Sequence, residues 1–346
     1  MNKSLIKIFY FLLSVGSYSC ITEYDCGEGG KGPGEPTSDL PEIIYSTRPY
    51  GTPNSGWLLG DAYIFSATKQ GDVSDVNLMY DVSYSPYTTD IALSPEGKVY
   101  WSEPNYKDDE KTYHHSFVEG DVASSPYKKN VFSYENPEMF EVKELTYHLG
   151  NIYFAGSTSS GGAIILRGNI STRQVDTLYQ RTSTDKVEIG GIKFMNNTIY
   201  WVEYDKGSNS MRLLEGDFTS SKIVHEHAGI NPTSFAIDTK RGKVYVVNNI
   251  SYIPDPENSE DELYVGNLDG SGDLTKVDFD APMVDMVDIE VDAYGKYLYW
   301  MDRSLDFEEK SVLLRVPLSE FPDNSNVEKL YEMEACYSFE LVSEEW

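Results

Sequence analysis

A six-fold repeat constrains this chain more than any other feature of it. The fragment GKYLYWMD around Tyr299 has five relatives: EIIYST at Tyr45, GKVYWSE at Tyr100, GNIYFAG at Tyr153, NTIYWVE at Tyr200 and GKVYVVN at Tyr245. The tyrosines lie 55, 53, 47, 45 and 54 residues apart. Each follows a β-branched residue or Leu, and most copies carry a Gly or Asn turn just upstream. That is the composition of a buried strand entered from a tight turn.

Every copy has the same neighbours. Short apolar segments recur at 89–94, 143–148, 190–195, 233–238, 287–292 and 337–343. A third segment follows each Tyr strand, as in HHSFVEGD, IILRGNIST and LYVGNLDGS, and then a fourth, as in NLMYD, DTLYQ and KIVHE. No helical periodicity interrupts the pattern. Four-stranded antiparallel units at this period predict an all-β fold, a six-bladed β-propeller. The Tyr strand at 41–47 lacks a preceding partner, and the segment at 337–343 lacks a following one. Ring closure pairs them, so the C-terminal strand is expected to complete the first blade.

The fragments YLYWMD, KVYWSE and TIYWVE, with LYVGNLDGS downstream, resemble the YWTD repeats of low-density lipoprotein receptor propellers and their bacterial relatives. The resemblance covers about residues 41–346; it is best between Asp238 and Asp302 and faint in the first copy. It implies the same six-bladed ring. The acid of the motif is matched only by Asp302; the same column holds Arg48, Glu103, Gly156, Glu203 and Asn248. The family's polar network between blades is therefore not carried over in full. Such rings serve as receptors, lactonases and plain scaffolds, so the resemblance assigns no function.

The first twenty residues, MNKSLIKIFYFLLSVGSYSC, carry Lys3 and Lys7, an apolar run from Ile8 to Val15, and small residues before Cys20. The run is too short to span a bilayer and has the layout of a secretory signal, residues 1–19. The cysteine after Ser17-Tyr18-Ser19 resembles a bacterial lipoprotein box, which implies lipidation of Cys20. Such boxes usually carry Leu where this chain has Ser17, and Ser17-x-Ser19 also suits ordinary signal peptidase. Residues 20–40 are rich in Gly, Pro and acids and read as a flexible tether. The expected address is the bacterial cell envelope, as an outer-membrane lipoprotein on the periplasmic or surface side. Of the three cysteines, Cys26 and Cys336 remain as a candidate disulfide in an oxidising compartment.

A balance of 28 Lys and Arg against 56 Asp and Glu gives a formal charge of −28. That envelope repels phosphate backbones and anionic headgroups, which excludes nucleic acid and leaves the lipid as the expected membrane contact.

Candidate sites follow from the columns of the repeat. The innermost strands place Asp90, Glu144, Gly191, Ser234, Asp288 and Ser338 in one column, so Asp90, Glu144 and Asp288 are candidate ligands for Ca2+ or another divalent cation at the ring's axis. The lactonase-type propellers that place a metal there resemble this chain in architecture only, since the column contains no matching Asn. His225-Glu226-His227 has the i, i+2 spacing of a strand metal site, yet His225 falls in the column of Tyr80, Tyr179 and Tyr331 and is expected to replace a packing aromatic. His114 and His115 point to opposite faces of a strand, and His148 stands alone at a turn. NLDGSGDL, 267–274, is expected to be a hairpin and not a calcium loop. Tyr50, Trp57, Tyr84, Tyr87, Tyr106 and Tyr127 fall between strands or at turns and are candidate aromatic anchors. The expected function is a non-enzymatic binding module for a protein or glycan at the cell envelope. The alternative is a metal-dependent lactonase-type hydrolase working from the axis.

Overall fold

In a computed structural model every regular element among the described residues is a β-strand. The structure describes residues 43–47, 62–67, 77–82, 90–107, 112–122, 128–136, 139–158, 162–181, 187–195, 197–217, 220–250, 261–278, 285–303, 310–321, 326–334 and 336–342. The chain divides into two units, Met1–Asp39, wholly outside the described residues, and Leu40–Trp346.

The second unit is six four-stranded antiparallel sheets. Blade 2 holds β4 (Ile91–Leu93), β5 (Lys98–Lys107), β6 (Thr112–Asp121) and β7 (Lys129–Asn136). Blade 3 holds β8 (Met139–His148), β9 (Asn151–Thr158), β10 (Ala163–Asn169) and β11 (Val175–Arg181). Blade 4 holds β12 (Val187–Met195), β13 (Thr198–Asp205), β14 (Ser210–Gly216) and β15 (Ser221–Ala228). Blade 5 holds β16 (Pro232–Asp238), β17 (Lys243–Asn248), β18 (Glu262–Asn267) and the short β19 (Thr275–Lys276). Blade 6 holds β20 (Met286–Val291), β21 (Tyr297–Arg303), β22 (Lys310–Pro317) and β23 (Glu328–Glu334). Blade 1 is assembled from both ends of the unit: β24 (Cys336–Leu341) pairs with β1 (Ile43–Thr47), which pairs with β2 (Ala62–Ala67) and then β3 (Asn77–Val82). The expected closure is therefore observed. The inner strands touch in cyclic order, β24 to β4, β8, β12, β16, β20 and back to β24.

The Gly or Asn before five of the six repeat strands has a backbone reason. Gly97, Gly150, Asn197, Gly242 and Gly295 have φ of 70, 74, 64, 61 and 58°. In that left-handed region a Cβ meets the following carbonyl, so Gly and Asn are preferred.

The core is six apolar clusters, one in each gap between blades. In the gap between blades 5 and 6, Tyr245 of one blade and Trp300 of the next belong to one cluster, and both are buried. Tyr153 and Trp201 share the cluster between blades 3 and 4 in the same way. Alternate residues of one strand thus face opposite gaps, as a period of two requires.

Blade 1 departs from the expected column. Tyr100, Tyr153, Tyr200, Tyr245 and Tyr299 lie opposite Ala92, Thr146, Lys193, Ala236 and Glu290. Tyr45 lies opposite Phe339, which corresponds to the partners of Trp101, Trp201 and Trp300. Tyr45 therefore takes the Trp position and packs toward blade 6, while Ile44 takes the Tyr position beside Trp101. A shift of one residue moves every side chain to the other face. Aligning by residue type concealed it.

A second interlock holds neighbouring blades. A Cβ added at Gly120 would overlap the ring of Tyr80, one at Gly168 the ring of Phe132, and one at Gly266 the ring of His225. Each glycine is on a third strand, and each ring comes from the fourth strand of the preceding blade. Among the described residues blade 5 has no such ring, and at the equivalent point blade 6 carries Val316, in one cluster with Val277.

Candidate functional site

The axis is where the charged side chains converge. In five inner strands a β-bulge directly precedes the column residue: Glu144, Gly191, Ser234, Asp288 and Ser338. The bulge turns this position inward and frees its neighbours' backbone groups to meet the next blade.

Asp90 and Asp288 use this arrangement alike. Asp288 accepts from Ser234 Oγ of the preceding blade at 2.8 Å, from its own Ile289 N at 2.8 Å, and from Phe339 N of the following blade at 3.1 Å. Asp90 accepts from Ser338 Oγ of the preceding blade at 2.5 Å, from Ile91 N at 2.9 Å, and from Leu145 N of the following blade at 2.5 Å. Each aspartate is thus a staple across three consecutive blades. Ser234 and Ser338 are the matching donors. In blade 4 the position is Gly191, where a Cβ would overlap the Phe235 ring of blade 5.

Glu144 is different. It makes no hydrogen bond among the described residues, although it faces the same cavity of about 200 Å³ as Asp90, Asp288, Lys143 and Arg303. Burial, then the charges of Asp90 and Asp288, push its carboxyl well above the ordinary range. Burial and then the charge of Asp288 push Asp90 up to about 7, against the pull of its hydrogen bonds.

Two residues further along the inner strands lies a second layer that the column reading missed. Lys193 of blade 4 forms an ion pair with Glu290 of blade 6, with blade 5 between them in the ring, and the charge of Lys193 acts on the buried Glu340 of blade 1. Burial pulls the Lys193 ammonium down, but the charges of Glu290, Asp288 and Glu340 outweigh it and hold its pKa well above the usual value. Burial raises Glu290 and Glu340, with Lys193 opposing the rise in both. The signal for this layer was in the sequence, since residues i and i+2 of a strand share a face.

As a metal site the axis is poorly matched. Two of the three candidate ligands are engaged by backbone and serine donors, and an ammonium already stands among the carboxylates. Among the described residues no three His, Cys, Asp or Glu side chains converge closely enough to hold a metal ion. The opposite use of these groups, holding neighbouring blades together, accounts for four of the six hydrogen bonds that Asp90 and Asp288 make among the described residues.

The remaining candidates disperse. His225 lies opposite Leu213 just before a bulge, the place that Tyr80 takes opposite Ile64 and Tyr331 opposite Leu313. Its Nε2 bonds to Asn267 O at 2.7 Å, as Tyr80 donates its hydroxyl to Asp121 O at 2.7 Å. His225 therefore replaces a packing aromatic, as the column indicated. His227 Nδ1 bonds to Ala228 O at 2.7 Å. His148 is not alone: it stacks on Phe194 and its Nε2 meets Asn197 Oδ1 at 3.0 Å, linking the turns of blades 3 and 4. Asp269 accepts from Ser271 N in the turn between β18 and β19, so NLDGSGDL is a hairpin. The motif acid has a local use in two blades: Glu103 and Glu203 accept from the indoles of Trp101 and Trp201 at 3.0 and 3.2 Å. Glu203 and Asp205 also hold Arg181 of the preceding blade, each at 2.9 Å.

Cys336 is buried, and its thiol lies 3.4 Å from Ser338 O. Cys20, Cys26, Tyr50, Trp57, Tyr84, Tyr87 and Tyr127 lie outside the described residues, and Tyr106 is in β5 with its side chain outside them. Among the described residues no helix is long and apolar enough to cross a membrane.

No protein-family model matches the chain, and no curated protein matches it. Among solved structures it is similar to a chain of a nidogen/laminin complex, at 10% identity over 86% of this chain and 96% of that one, with a TM-score of 0.57. It is similar to a periplasmic gluconolactonase of Pseudomonas aeruginosa, at 11% identity over 85% and 83%, with a TM-score of 0.54. It is also similar to TolB of Acinetobacter baumannii, at 14% identity over 80% and 60%, with a TM-score of 0.53. At these identities the likeness establishes the β-propeller fold.

Proposed function

We propose that this propeller is a non-enzymatic binding module of the bacterial cell envelope, held by a lipid on Cys20 and presenting its loops to a protein or glycan. The observation that carries the reading is Lys193. Its ammonium supplies, from within the chain, the positive charge that the axial carboxylates would otherwise take from a metal. The aspartates serve as ring staples, which gives a rigid frame and leaves affinity to the loops. Trp57 and Tyr106 are the first anchors to change. Binding to glycan and envelope-protein arrays should fall at least about tenfold in Trp57→Ala and Tyr106→Ala; unchanged binding removes this face. Mass spectrometry of the mature N-terminus reads the lipid on Cys20 directly.

The second reading, a metal-dependent lactonase-type hydrolase, is favoured by one feature: the axial cavity with Glu144 facing it, unbonded among the described residues, and its carboxyl pushed upward, the direction a general acid needs. A calcium and zinc titration followed by thermal unfolding separates the two. The binding module predicts no shift in Tm. A saturable rise, lost in Glu144→Gln, replaces it with the hydrolase.

A further inference from the structure

The opposite face of the ring carries a feature that the chain's overall charge does not lead one to expect. Two turns meet there, between β16 and β17 and between β20 and β21. With the end of β22 they line an open cleft of about 560 Å³ that presents Lys240, Arg241 and Lys296 beside Tyr294, Tyr297 and Ser319. Most lysines elsewhere in the described structure sit on carboxylates: Lys98 on Asp121 at 2.5 Å, Lys206 on Glu188 at 2.8 Å, Lys276 on Glu262 at 2.7 Å and Lys329 on Glu332 at 2.7 Å. Lys240 and Lys296 have no carboxylate partner among the described residues. Their ammonium groups instead lie 5.4 and 5.2 Å from the centre of the one Tyr294 ring.

The acids beneath the cleft are turned away from it. Asp238 is 1% exposed and accepts from the backbone of Lys240 and Arg241 at 3.0 and 3.1 Å, while its other oxygen takes Arg241 Nη1 at 2.8 Å. Asp292 is buried and accepts from the backbone of Lys296 at 2.6 Å and Tyr297 at 3.3 Å. Glu320, next to Ser319 on the rim, is engaged by Asn326. The carboxylates thus shape the turns, and the same Arg241 nitrogen bridges to Gly295 O of the next blade at 2.6 Å. Lys240 donates to Tyr294 O at 2.5 Å, which fixes it at the cleft wall.

Concave, locally cationic and built on two rigid turns, this place accepts what the rest of the surface repels. We infer that the cleft binds an oxyanion, the carboxylate, sulfate or phosphate of a small ligand or glycan, between Lys240 and Lys296. The site lies at the opposite end of the inner strands from the axial cavity. Two exposed ammonium groups make charge-assisted hydrogen bonds to such a group and give a salt-sensitive affinity.

The test is calorimetric titration of the whole protein at low ionic strength with inorganic phosphate, inorganic sulfate and glucuronate. At least one should bind saturably, about tenfold more weakly in Lys240→Gln/Lys296→Gln and less well as salt is added. Tighter phosphate or sulfate assigns a doubly charged group, and tighter glucuronate assigns an acidic sugar. Lys296→Arg keeps the charge and should bind close to wild type, which separates loss of the site from loss of the fold. No saturable binding by any of the three, or equal affinity in the double glutamine variant, overturns the inference.

Discussion

At the scale of single residues, His115 shows how one buried polar group sets an acid limit. It is 1% exposed, lies opposite Pro104 and Tyr134, and neither ring nitrogen has a hydrogen-bond partner among the described residues. Burial, and then the neighbouring His114, lower its pKa from the usual 6.5 to about 4. A depressed pKa means that the unfolded chain binds the proton first, so this stability is complete above pH 6.5 and is lost as pH falls toward 4. The shift is equivalent to about 3 kcal/mol. His115→Phe should flatten the fall of Tm over that window; parallel curves for variant and wild type would show that the folded protein takes up the proton as readily as the unfolded chain and that burial does not hold the imidazole neutral. Gly168 makes a second prediction. Its missing Cβ is the seat of the Phe132 ring, so Gly168→Ala should cost about 1–3 kcal/mol in a denaturant melt. Phe132→Leu in the same chain should recover part of that loss, which a purely conformational effect at position 168 would not allow.

At the scale of strands and blades, the repeat made most of the fold legible. The twenty-four strands, their grouping in fours and the pairing of the last with the first all follow from apolar segments at a fixed order and a period near fifty. What escaped was register in blade 1, because Tyr45 looks like its five relatives and only pairing to Phe339 shows it to be in the Trp position. The axial column was legible as a column, and Asp90, Glu144 and Asp288 do share a cavity. Its use was not, since a carboxylate that binds a cation and one that accepts backbone N–H groups are the same letters. Nothing local in the sequence pairs Lys193 with Glu290, because the two are 97 residues apart and the contact skips a blade. The element most exposed to test is β24. A chain ending after Glu334 loses Phe339, which is buried against β1, and leaves blade 1 without its inner strand. It should show no cooperative unfolding transition, and a peptide of residues 335–346 added to it should restore one. A normal melt from the truncated chain would mean that the remaining blades hold the ring open-ended.

At the scale of the whole ring, the channel sets an alkaline limit opposite to the acid one. The folded protein holds protons on Asp90 and Glu144 that the unfolded chain releases in the ordinary carboxylate range. A raised pKa gives stability that is complete at low pH and is lost as pH rises through the folded value, near 7 for Asp90. Glu144→Gln, which breaks no hydrogen bond among the described residues, should match wild type at about pH 4 and exceed its Tm at about pH 8. A variant less stable at both values would show that the ionised form is the one the ring needs. Lys193→Met leaves Glu290 without its cation and should cost about 3–5 kcal/mol near neutral pH, a loss that calcium partly reverses in the variant and not in wild type. Closure through β24 also bears on how such a chain comes into being. Ile43 meets Leu341 only after the chain has been made through that residue, so the first blade to be started is the last to be completed. Until then β1 offers a bare edge to any other strand it meets. A chain stalled on the ribosome or clipped by a protease has no smaller ring to fall back on, and quality control sees either a finished circle or scrap.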